Sequence, residues 1–161
     1  MEIKEKRFLN EFGVGDGEVY KTPENGTFEV KWSNGKTRYK WDYKDGKRAD
    51  GKSKSWHENG ELKQDIEWKN GLREGSHVSY HDNGEKESEA TLLNGQPHGL
   101  YTVWDKDGNK INESRFVNGT HHGVRTQWHS NGQKKLECES DMGKQVGKIL
   151  LWNENGDEIN G

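Results

Sequence analysis

Three histidines recur at one spacing, and histidine is the most common metal ligand among protein side chains. His57 and His81 are 24 residues apart, and His129 follows after twice that interval. Zinc–nitrogen bonds of about 2.0–2.1 Å hold the ligands of one ion within about 4 Å of each other. Residues at the same position of successive β-hairpins are separated by two strand spacings, about 9.6 Å. We therefore expect no metal site and interpret the three histidines as solvent-facing turn residues.

Catalytic groups are not expected in this sequence. Cys138 lies two residues after Leu136, and nothing nearby supplies the base or positive charge that activates a thiol. We expect a buried thiol that packs as a small apolar group. Carboxylates recur at i, i+2 spacing, as in Glu85, Glu87 and Glu89, which is typical of a solvated strand face. The sequence therefore predicts no enzyme, no cofactor and no metal ion.

The charge balance limits the classes of partner. The chain has 161 residues, with 25 Lys and Arg against 28 Asp and Glu, and a formal net charge of −3. A nucleic-acid partner is not expected, because such binding needs a basic excess. No apolar run approaches the ~18 residues of a membrane span, and the first residues lack the apolar stretch of a secretory signal. We therefore expect a cytoplasmic protein without membrane contact.

Glycines divide most of the chain into units of 24 residues. An aromatic residue follows the first glycine of each unit by five positions, and Asn or Asp precedes the next glycine. Several series in one register indicate a tandem repeat whose units stack on their neighbours. The three glycine series are Gly51, Gly75, Gly99, Gly123 and Gly147; Gly60, Gly84, Gly108, Gly132 and Gly156; and Gly71, Gly95, Gly119 and Gly143.

Each unit is predicted to be a β-hairpin. Asn-Gly and Asp-Gly pairs favour the positive φ angles of tight turns, and the segments between them have the lengths of strands. Side chains alternate along the longer segment, with Leu62, Gln64, Ile66 and Trp68 separated by charged residues. The predicted fold is all-β: an elongated antiparallel sheet of stacked hairpin repeats, with about eleven or twelve strands.

The start of the chain lies outside the repeat. We predict a short N-terminal cap over residues 1–16 and a hairpin-repeat domain over residues 17–161. The cap is expected to be either an amphipathic helix ending at Gly13 or an extended segment. Either form would cover an open sheet edge, which repeat proteins need for solubility.

Two turns between units share the element Asn-Gly-x-x-His-Gly, at residues 94–99 and 118–123. We expect their histidines, His98 and His122, to make turn-stabilising hydrogen bonds. Two comparable turns carry Glu74 and Val146 at the histidine position.

Combined with aromatic-x-x-Asn-Gly, this element resembles the MORN repeat, and more closely the variant found in bacterial YwqK-type antitoxin proteins. The resemblance covers residues 26–161. It implies an elongated, twisted antiparallel sheet with aromatic side chains lining one face. It also implies a binding role, either as a scaffold or as a partner that neutralises a toxin by occlusion.

Nine aromatic residues are the predicted partner-binding residues. Trp and Tyr are enriched in the hot spots of protein interfaces, and a row of Trp rings would also suit a carbohydrate. Large apolar rings would equally form the core of a sheet that has little else to bury. Equivalent rings in neighbouring units are about 9.6 Å apart, too far to stack directly, so side chains of the intervening strand must fill the gaps, which favours the core. A binding role stays open, with a protein preferred to a carbohydrate as the partner. The residues are Trp32, Tyr39, Trp41, Trp56, Trp68, Tyr80, Trp104, Trp128 and Trp152.

Charge is distributed unevenly along the repeat. Residues 36–54 carry a net charge of +5, and residues 82–90 carry −3. Such polarity orients a charged partner during association. A membrane-associated scaffold, with Lys36, Arg38 and Lys40 on anionic headgroups, is a further alternative. Open sheet edges also leave self-association open.

Overall fold

The computed structural model describes residues 4–9 and 15–159, and within these residues the chain is all-β. Tight turns at the predicted Asn-Gly and Asp-Gly pairs separate most of the strands. The strands are β1 (Lys4–Leu9), β2 (Gly15–Thr22), β3 (Gly26–Lys31), β4 (Thr37–Lys44), β5 (Lys47–Arg48), β6 (Gly51–Trp56), β7 (Leu62–Lys69), β8 (Leu72–Tyr80), β9 (Lys86–Leu93), β10 (Gln96–Trp104), β11 (Lys110–Val117), β12 (Thr120–His121), β13 (Gly123–Trp128), β14 (Lys134–Asp141) and β15 (Lys144–Leu151).

Within the described residues, strands β3 to β15 form one antiparallel sheet of thirteen strands. The main path across it runs β15-β14-β13-β11-β10-β9-β8-β7-β6-β4-β3, while the short strands β5 and β12 pair with β4 and β11. Strands that follow each other in the chain are neighbours in the sheet, because tight turns join antiparallel strands. The predicted row of stacked hairpins is confirmed.

The first two strands form a two-stranded antiparallel sheet of their own. The part of the predicted cap at residues 4–9 is therefore extended, while residues 1–3 and 10–14, including the predicted helix end at Gly13, lie outside the described residues. Strand β2 crosses the predicted boundary between residues 16 and 17. The division of the chain into residues 1–16 and 17–161 stays a prediction.

The strand register divides the side chains between two faces. Paired residues share a face, and one row of pairs runs Ser53, Ile66, His77, Ala90, Tyr101, Ser114 across six strands. We call this side the aromatic face; it also carries Phe28, Tyr39, Trp41, Trp68, Leu92 and Phe116. The opposite side, the charged face, carries Lys52, Lys54, Asp65, Glu67, Glu89, Glu113 and Glu137. The predicted alternation is confirmed.

The apolar core is concentrated in the first half of the sheet. Ile66 is 0% exposed and Trp41 is 2% exposed, and both lie on the aromatic face. The buried side chains of the later strands are polar: Thr102, Ser114 and Thr126. Burying a large apolar side chain contributes about 1.5–3 kcal/mol. The later units gain less from burial, so contacts between units matter more there.

The turns between units are two-residue hairpins with both central residues left-handed. Asn70, Asn94 and Asn118 have φ angles of 52°, 52° and 48°, and the glycine that follows each has a φ of 78° or 79°. This is type I′ geometry, which Asn-Gly favours, so the predicted turn chemistry is confirmed. In the last such turn, Met142 occupies the asparagine position with a φ of 44°.

These turns are also stabilised by hydrogen bonds to side chains of the preceding unit. The side chain of the residue before a unit-start glycine accepts the backbone N–H of the next turn. The three pairs are Asp50 Oδ1 with Asn70 N (2.6 Å), Glu74 Oε2 with Asn94 N (2.7 Å) and His98 Nδ1 with Asn118 N (3.4 Å). The predicted turn hydrogen bond of His98 is confirmed. That of His122 is not: within the described residues its Nδ1 has no hydrogen-bond partner, and it lies 3.3 Å from a carboxylate oxygen of Asp141.

Histidines in the turns within units join each unit to the next. The Nε2 atom of His57 donates to the backbone carbonyl of Tyr80 over 2.8 Å. His81 and His129 repeat this contact with the units that follow them, at 3.0 and 2.9 Å. The side chain of His81 is 14% exposed. The expectation of solvent-facing histidines is wrong, because the carbonyl of the neighbouring unit takes the imidazole N–H.

Asparagines two residues further along make a second hydrogen bond to the next unit. We call each of these bonds from a turn side chain to a backbone carbonyl of the next unit a rung. Asn83 Nδ2 donates to the backbone carbonyl of Lys106 at 2.8 Å, while its Oδ1 accepts the N–H of Glu85 in its own turn at 3.1 Å. Because one amide satisfies two turns at once, it fixes the spacing between units as well as the shape of each turn. The same rung is made by Asn34, Asn59 and Asn131.

Among the turns within units that precede a further unit, one in the described part of the chain makes neither rung. Asp105 stands at the histidine position and Asp107 at the asparagine position. Asp105 Oδ1 accepts the N–H groups of Asp107 and Asn109 in its own turn, at 3.0 and 2.9 Å. The hydrogen bond from the Asn109 side chain, with these backbone bonds, lowers the pKa of Asp105. The joint between β11 and β13 therefore has fewer side-chain links than its neighbours.

Replacing Met142 with asparagine is expected to raise the free energy of unfolding by about 0.5–1 kcal/mol, because asparagine tolerates left-handed backbone better than methionine. Little packing is lost, since Met142 is 55% exposed. Urea unfolding followed by tryptophan fluorescence measures the change. The matched substitution Asn94→Met should shift stability by a similar amount in the opposite direction. A loss of stability in Met142→Asn would contradict the assignment of strain to this turn.

Replacing Asn83 with aspartate is expected to lower the free energy of unfolding by about 1 kcal/mol, the contribution of one hydrogen bond. The new carboxylate keeps the acceptor of the turn but loses the donor to the Lys106 carbonyl. Asn155 occupies the same turn position, and its side chain makes no hydrogen bond to a further unit within the described residues. Asn155→Asp is therefore the control, and equal losses in both variants in a urea titration would show that the rung contributes nothing.

Candidate functional site

Three of the nine predicted aromatic residues, Tyr39, Trp41 and Trp68, lie on the aromatic face among its first strands. The Arg48 guanidinium lies 4.4 Å from the ring centre of Trp41 and 4.1 Å from that of Trp68. Trp68 Nε1 also donates to Ser53 Oγ at 2.8 Å. A stacked guanidinium contributes about 0.5–2 kcal/mol per ring. These rings stabilise the first units, and their role in partner binding stays a prediction.

Five of the predicted residues lie at strand ends beside the turns within units: Trp56, Tyr80, Trp104, Trp128 and Trp152. A register shift occurs beside the turn in four of these units, at Trp56, Tyr80, Trp104 and Trp128. Each ring lies one residue beyond the alternating positions of the aromatic face. The structure brings these rings into a row along the turns, apart from Tyr39, Trp41 and Trp68.

Lysines of the preceding unit cover three of these rings. The Nζ atoms of Lys86, Lys110 and Lys134 lie 5.4, 5.5 and 5.7 Å from the ring centres of Trp104, Trp128 and Trp152. Each lysine also forms an ion pair of 2.6–2.8 Å with a glutamate three residues later on the charged face. Each of these lysines begins the strand that lies between two successive rings of the row, so it occupies the gap between them.

Trp32 takes the place of a turn histidine. Its Nε1 donates to the backbone carbonyl of Trp56 at 3.2 Å, the contact that His57 makes with the next unit. The guanidinium of Arg38 lies 4.4 Å from its ring centre and 4.9 Å from that of Tyr39. Its turn closes with the same two backbone hydrogen bonds as the later ones: Trp32 N donates to the Lys36 carbonyl and Gly35 N to the Trp32 carbonyl. Trp32 therefore joins two units.

A groove opens on the aromatic face where the central row of side chains becomes small. In successive units this row passes from Ile66 to Ala90 and Ser114. Two adjoining depressions of about 290 and 250 Å³ share Tyr101 and Phe116 as walls. We call them together the Tyr101 groove. Its lining residues are Arg73, His77, Ala90, Leu92, Gly95, Pro97, Tyr101, Val103, Asn112, Ser114, Phe116, His121, Arg125 and Gln127.

Aromatic rings form the middle of the Tyr101 groove. The ring centres of Tyr101 and Phe116 are 6.2 Å apart with their planes at 70°, and Phe116 lies 4.1 Å from the His121 ring. The edge-to-face pair of Tyr101 and Phe116 holds its side chains in place with about 0.5–1.5 kcal/mol beyond area burial. The groove therefore presents a fixed apolar surface to a ligand.

Positive charge lies at the two ends of the Tyr101 groove. Arg73 is at one end, and Arg125, whose Nε donates to Asn112 Oδ1 at 3.2 Å, is at the other. No Asp or Glu is among the lining residues. Burial, together with the positive charge of Arg73, lowers the pKa of His77 to about 4, so its imidazole is neutral at pH 7. The groove combines two guanidinium groups with an apolar, uncharged middle.

Two further expectations concern the thiol of Cys138, near this groove, and the absence of a metal site. Cys138, which pairs with Arg125 in the register, is half-buried, so the expectation of a buried thiol is wrong. The later strands have too few large side chains to cover it. No group of three His, Cys, Asp or Glu in the described part of the chain is placed to hold a metal ion.

Sequence reasoning did not single out the groove residues. Tyr101, Phe116 and Arg125 lie outside the aromatic series at the turns and are not repeated from unit to unit. Alternation assigns each residue to a face, and the central row of the aromatic face then reads Ile66, Ala90 and Ser114 in successive units. The decrease in side-chain size along this row is the signal that could have located the groove. The guanidinium groups of Arg73 and Arg125 come from different hairpins, and their positions in the sequence follow no repeat.

Lowering the pH from 7 to about 4.5 is expected to destabilise the fold through His77. Its pKa is lower in the folded state (about 4) than its ordinary 6.5, so between these values the unfolded chain binds more protons and stability falls with falling pH. The loss is about 2 kcal/mol after allowance for partial solvent exposure. Urea unfolding at several pH values measures it.

The control for this pH dependence is His77→Gln, which cannot titrate. Its free energy of unfolding should fall less between pH 6.5 and about 4.5 than that of the unsubstituted chain. The lowered pKa of Asp82, caused first by its hydrogen bond from Lys106, acts below its ordinary 3.8 and thus outside this window. Parallel pH profiles for the two proteins would contradict a neutral His77 in the folded state.

Comparison with known proteins identifies one unit directly. Residues 49–70 match a MORN repeat variant, a stretch that contains β6, the Asn-Gly turn and β7. The same strand–turn–strand unit recurs through the sheet, which supports a MORN-repeat protein. No curated protein sequence matches the chain. The resemblance to the YwqK-type antitoxins is not confirmed, and what is shown is a MORN repeat variant within an open sheet of stacked hairpins.

Proposed function

We propose that the chain is a non-enzymatic protein-binding repeat protein whose partner docks on the aromatic face at the Tyr101 groove. The observation that carries the proposal is this groove, in which fixed aromatic walls lie between two arginines without any lining carboxylate. Tyr and Arg are enriched among residues that dominate binding energy in protein interfaces. MORN repeats are generally protein- or membrane-binding repeats, which agrees with a recognition role.

The mechanism proposed is occlusion by a broad, preformed surface. An open sheet with unit-to-unit hydrogen bonds on its turns changes shape little, so the ordering cost of binding falls mainly on the partner. A cytoplasmic toxin is the partner class that the family resemblance offers. In that case the sheet would cover the active site of the toxin and block substrate entry.

The carbohydrate alternative draws less support from the structure. Sugar platforms need exposed ring faces, whereas lysine ammonium groups lie over Trp104, Trp128 and Trp152. For the membrane-scaffold alternative, Lys36 Nζ is bound to the carbonyl of Asn59 and Arg38 is stacked on Trp32, so two of its three cations have partners within the chain. The described residues contain no helix long and apolar enough to cross a membrane.

Tyr101→Ala is expected to reduce capture of the partner by about tenfold or more, as loss of a central aromatic anchor does in other interfaces. The assay is a pull-down from native lysate with quantitative mass spectrometry of the retained proteins. Leu100→Ala is the matched control, because Leu100 is the next residue on the same strand, lies on the opposite face and is 44% exposed. Circular dichroism and urea unfolding confirm that both variants are folded.

A single stoichiometric protein that is retained by the chain and by Leu100→Ala, but lost by Tyr101→Ala, supports docking at the groove. If that protein is an enzyme, occlusion predicts loss of its activity at an equimolar amount of the chain. Equal capture by both variants would reject the aromatic face as the docking surface. A clean bait without any retained protein, together with binding of oligosaccharides on a glycan array, would favour the carbohydrate alternative.

A further inference from the structure

We propose that the partner segment in the Tyr101 groove is an extended acidic peptide that crosses strands β8 to β13. Two carboxylates about six residues apart bind Arg73 and Arg125, and an apolar side chain between them packs on Tyr101 and Phe116. This inference rests on the proposed function, since it specifies the chemistry of the same docking surface.

The two arginines have partners in the chain, but none of these is a carboxylate: Arg73 lies 5.8 Å from the ring centre of Trp68, and Arg125 Nε donates to Asn112 Oδ1. Within the described residues, neither Arg73 nor Arg125 forms an ion pair with a carboxylate, whereas lysines on the charged face do, as in Lys54 with Asp65 at 3.4 Å. A guanidinium presents a planar fork of donors that matches a carboxylate in two parallel hydrogen bonds. The groove thus offers two carboxylate-binding groups.

The two arginines lie on strands that are well separated in the sheet. Arg73 is on β8 and Arg125 on β13, and the path across the sheet from β8 passes β9, β10 and β11 before reaching β13. Four strand spacings span about 19 Å. An extended chain rises about 3.3 Å per residue, so about six residues bridge that span. The separation of strands β8 and β13 therefore sets the spacing of the two acidic residues in the partner.

Aromatic rings and small side chains line the middle of the groove. Tyr101 and Phe116 stand beside the small side chains of Ala90 and Ser114, and Leu92 is part of the floor. An apolar side chain of the partner would remove these surfaces from water, with a gain of about 25 cal/mol per Å². The peptide is therefore expected to be acidic at two points and apolar between them.

A nucleic acid fits this surface less well than a peptide. Its phosphates recur every few ångströms along a strand, at about 3.4 Å of axis in a duplex. Several of them would lie over Tyr101 and Phe116, where no cation is available to balance them. The chain is also net negative, at −3, which opposes a long polyanion. Isolated carboxylates at a wide spacing avoid both penalties.

The experiment is an NMR titration of the ¹⁵N-labelled full chain with a peptide of about seven residues, which has glutamate at both ends, leucine in the middle and serine between. Backbone shifts are expected on β10 and β11, and side-chain Nε–H shifts at Arg73 and Arg125. A peptide with glutamine at both ends should bind about tenfold or more weakly, since two charge-assisted hydrogen-bonded pairs are lost. A peptide with its glutamates two residues apart should also bind more weakly.

Variants of the chain test the same contacts from the other side. Arg73→Gln and Arg125→Gln should each weaken binding of the glutamate peptide by about fivefold or more. Arg115→Gln is the matched control, because Arg115 pairs with Leu100 and lies on the opposite face. Equal affinity for the glutamate and glutamine peptides, or shifts confined to the charged face, would overturn the proposal. Tighter binding of a single-stranded oligonucleotide at Tyr101 would overturn it as well.

The outcome also separates this inference from the proposed function. If no peptide binds but Tyr101→Ala still abolishes partner capture, the docking surface stands and the acidic segment is wrong. If no peptide binds and Tyr101→Ala captures the partner as the unsubstituted chain does, both are wrong. If the peptide with closely spaced glutamates binds equally well, the two-arginine spacing is wrong.

Discussion

The fold depends on hydrogen bonds from turn side chains to the backbone of the next unit. A single hairpin cannot bury its face alone, and in the later units the buried positions are threonine and serine. His57, His81 and His129 each donate to a carbonyl 23 residues further along the chain, and the turn asparagines do the same. These bonds satisfy backbone carbonyls at the sheet margin and set the distance between hairpins. They do in this sheet what a large apolar core does in a globular domain.

The Tyr101 groove lies where both kinds of support become weaker. The central row of the aromatic face shrinks to Ala90 and Ser114 there, and the turn that contains Asp105 and Asp107 makes no rung to the next unit within the described residues. Aromatic contacts among Tyr101, Phe116 and His121 take over part of the packing. A binding surface is thus obtained by leaving space between rings that are themselves held in place. This arrangement suits recognition of a side chain, because the surface exists before the partner arrives.

The two aromatic series have different roles because they lie at different positions of the sheet. In the series beside the turns, Trp104, Trp128 and Trp152 contact lysines of the preceding unit whose glutamate partners lie on the charged face, and these contacts link one unit to the next. The rings within the strands, from Trp41 to Phe116, form the aromatic face, first as core and then as groove walls. The periodic rings therefore support the repeat, whereas recognition is assigned to rings that the repeat does not impose. Periodic positions are constrained by every neighbouring unit, and positions that vary are free to specialise.

The sequence alone determined the repeat length, the hairpin turns and the assignment of alternating residues to two faces. These features are local: Asn-Gly sets a type I′ turn, as at Asn94, and a period of two sets the face of Ile66 or Glu89, whatever lies further along the chain. Tertiary structure decided which side chains meet between units. The register shift at Trp104 places its ring against Lys86, the imidazole of His57 reaches a carbonyl of the next hairpin, and Arg73 and Arg125 come to lie at the two ends of one groove. Each of these contacts depends on how neighbouring hairpins align, which is the sum of many weak contacts and is not encoded in any single spacing.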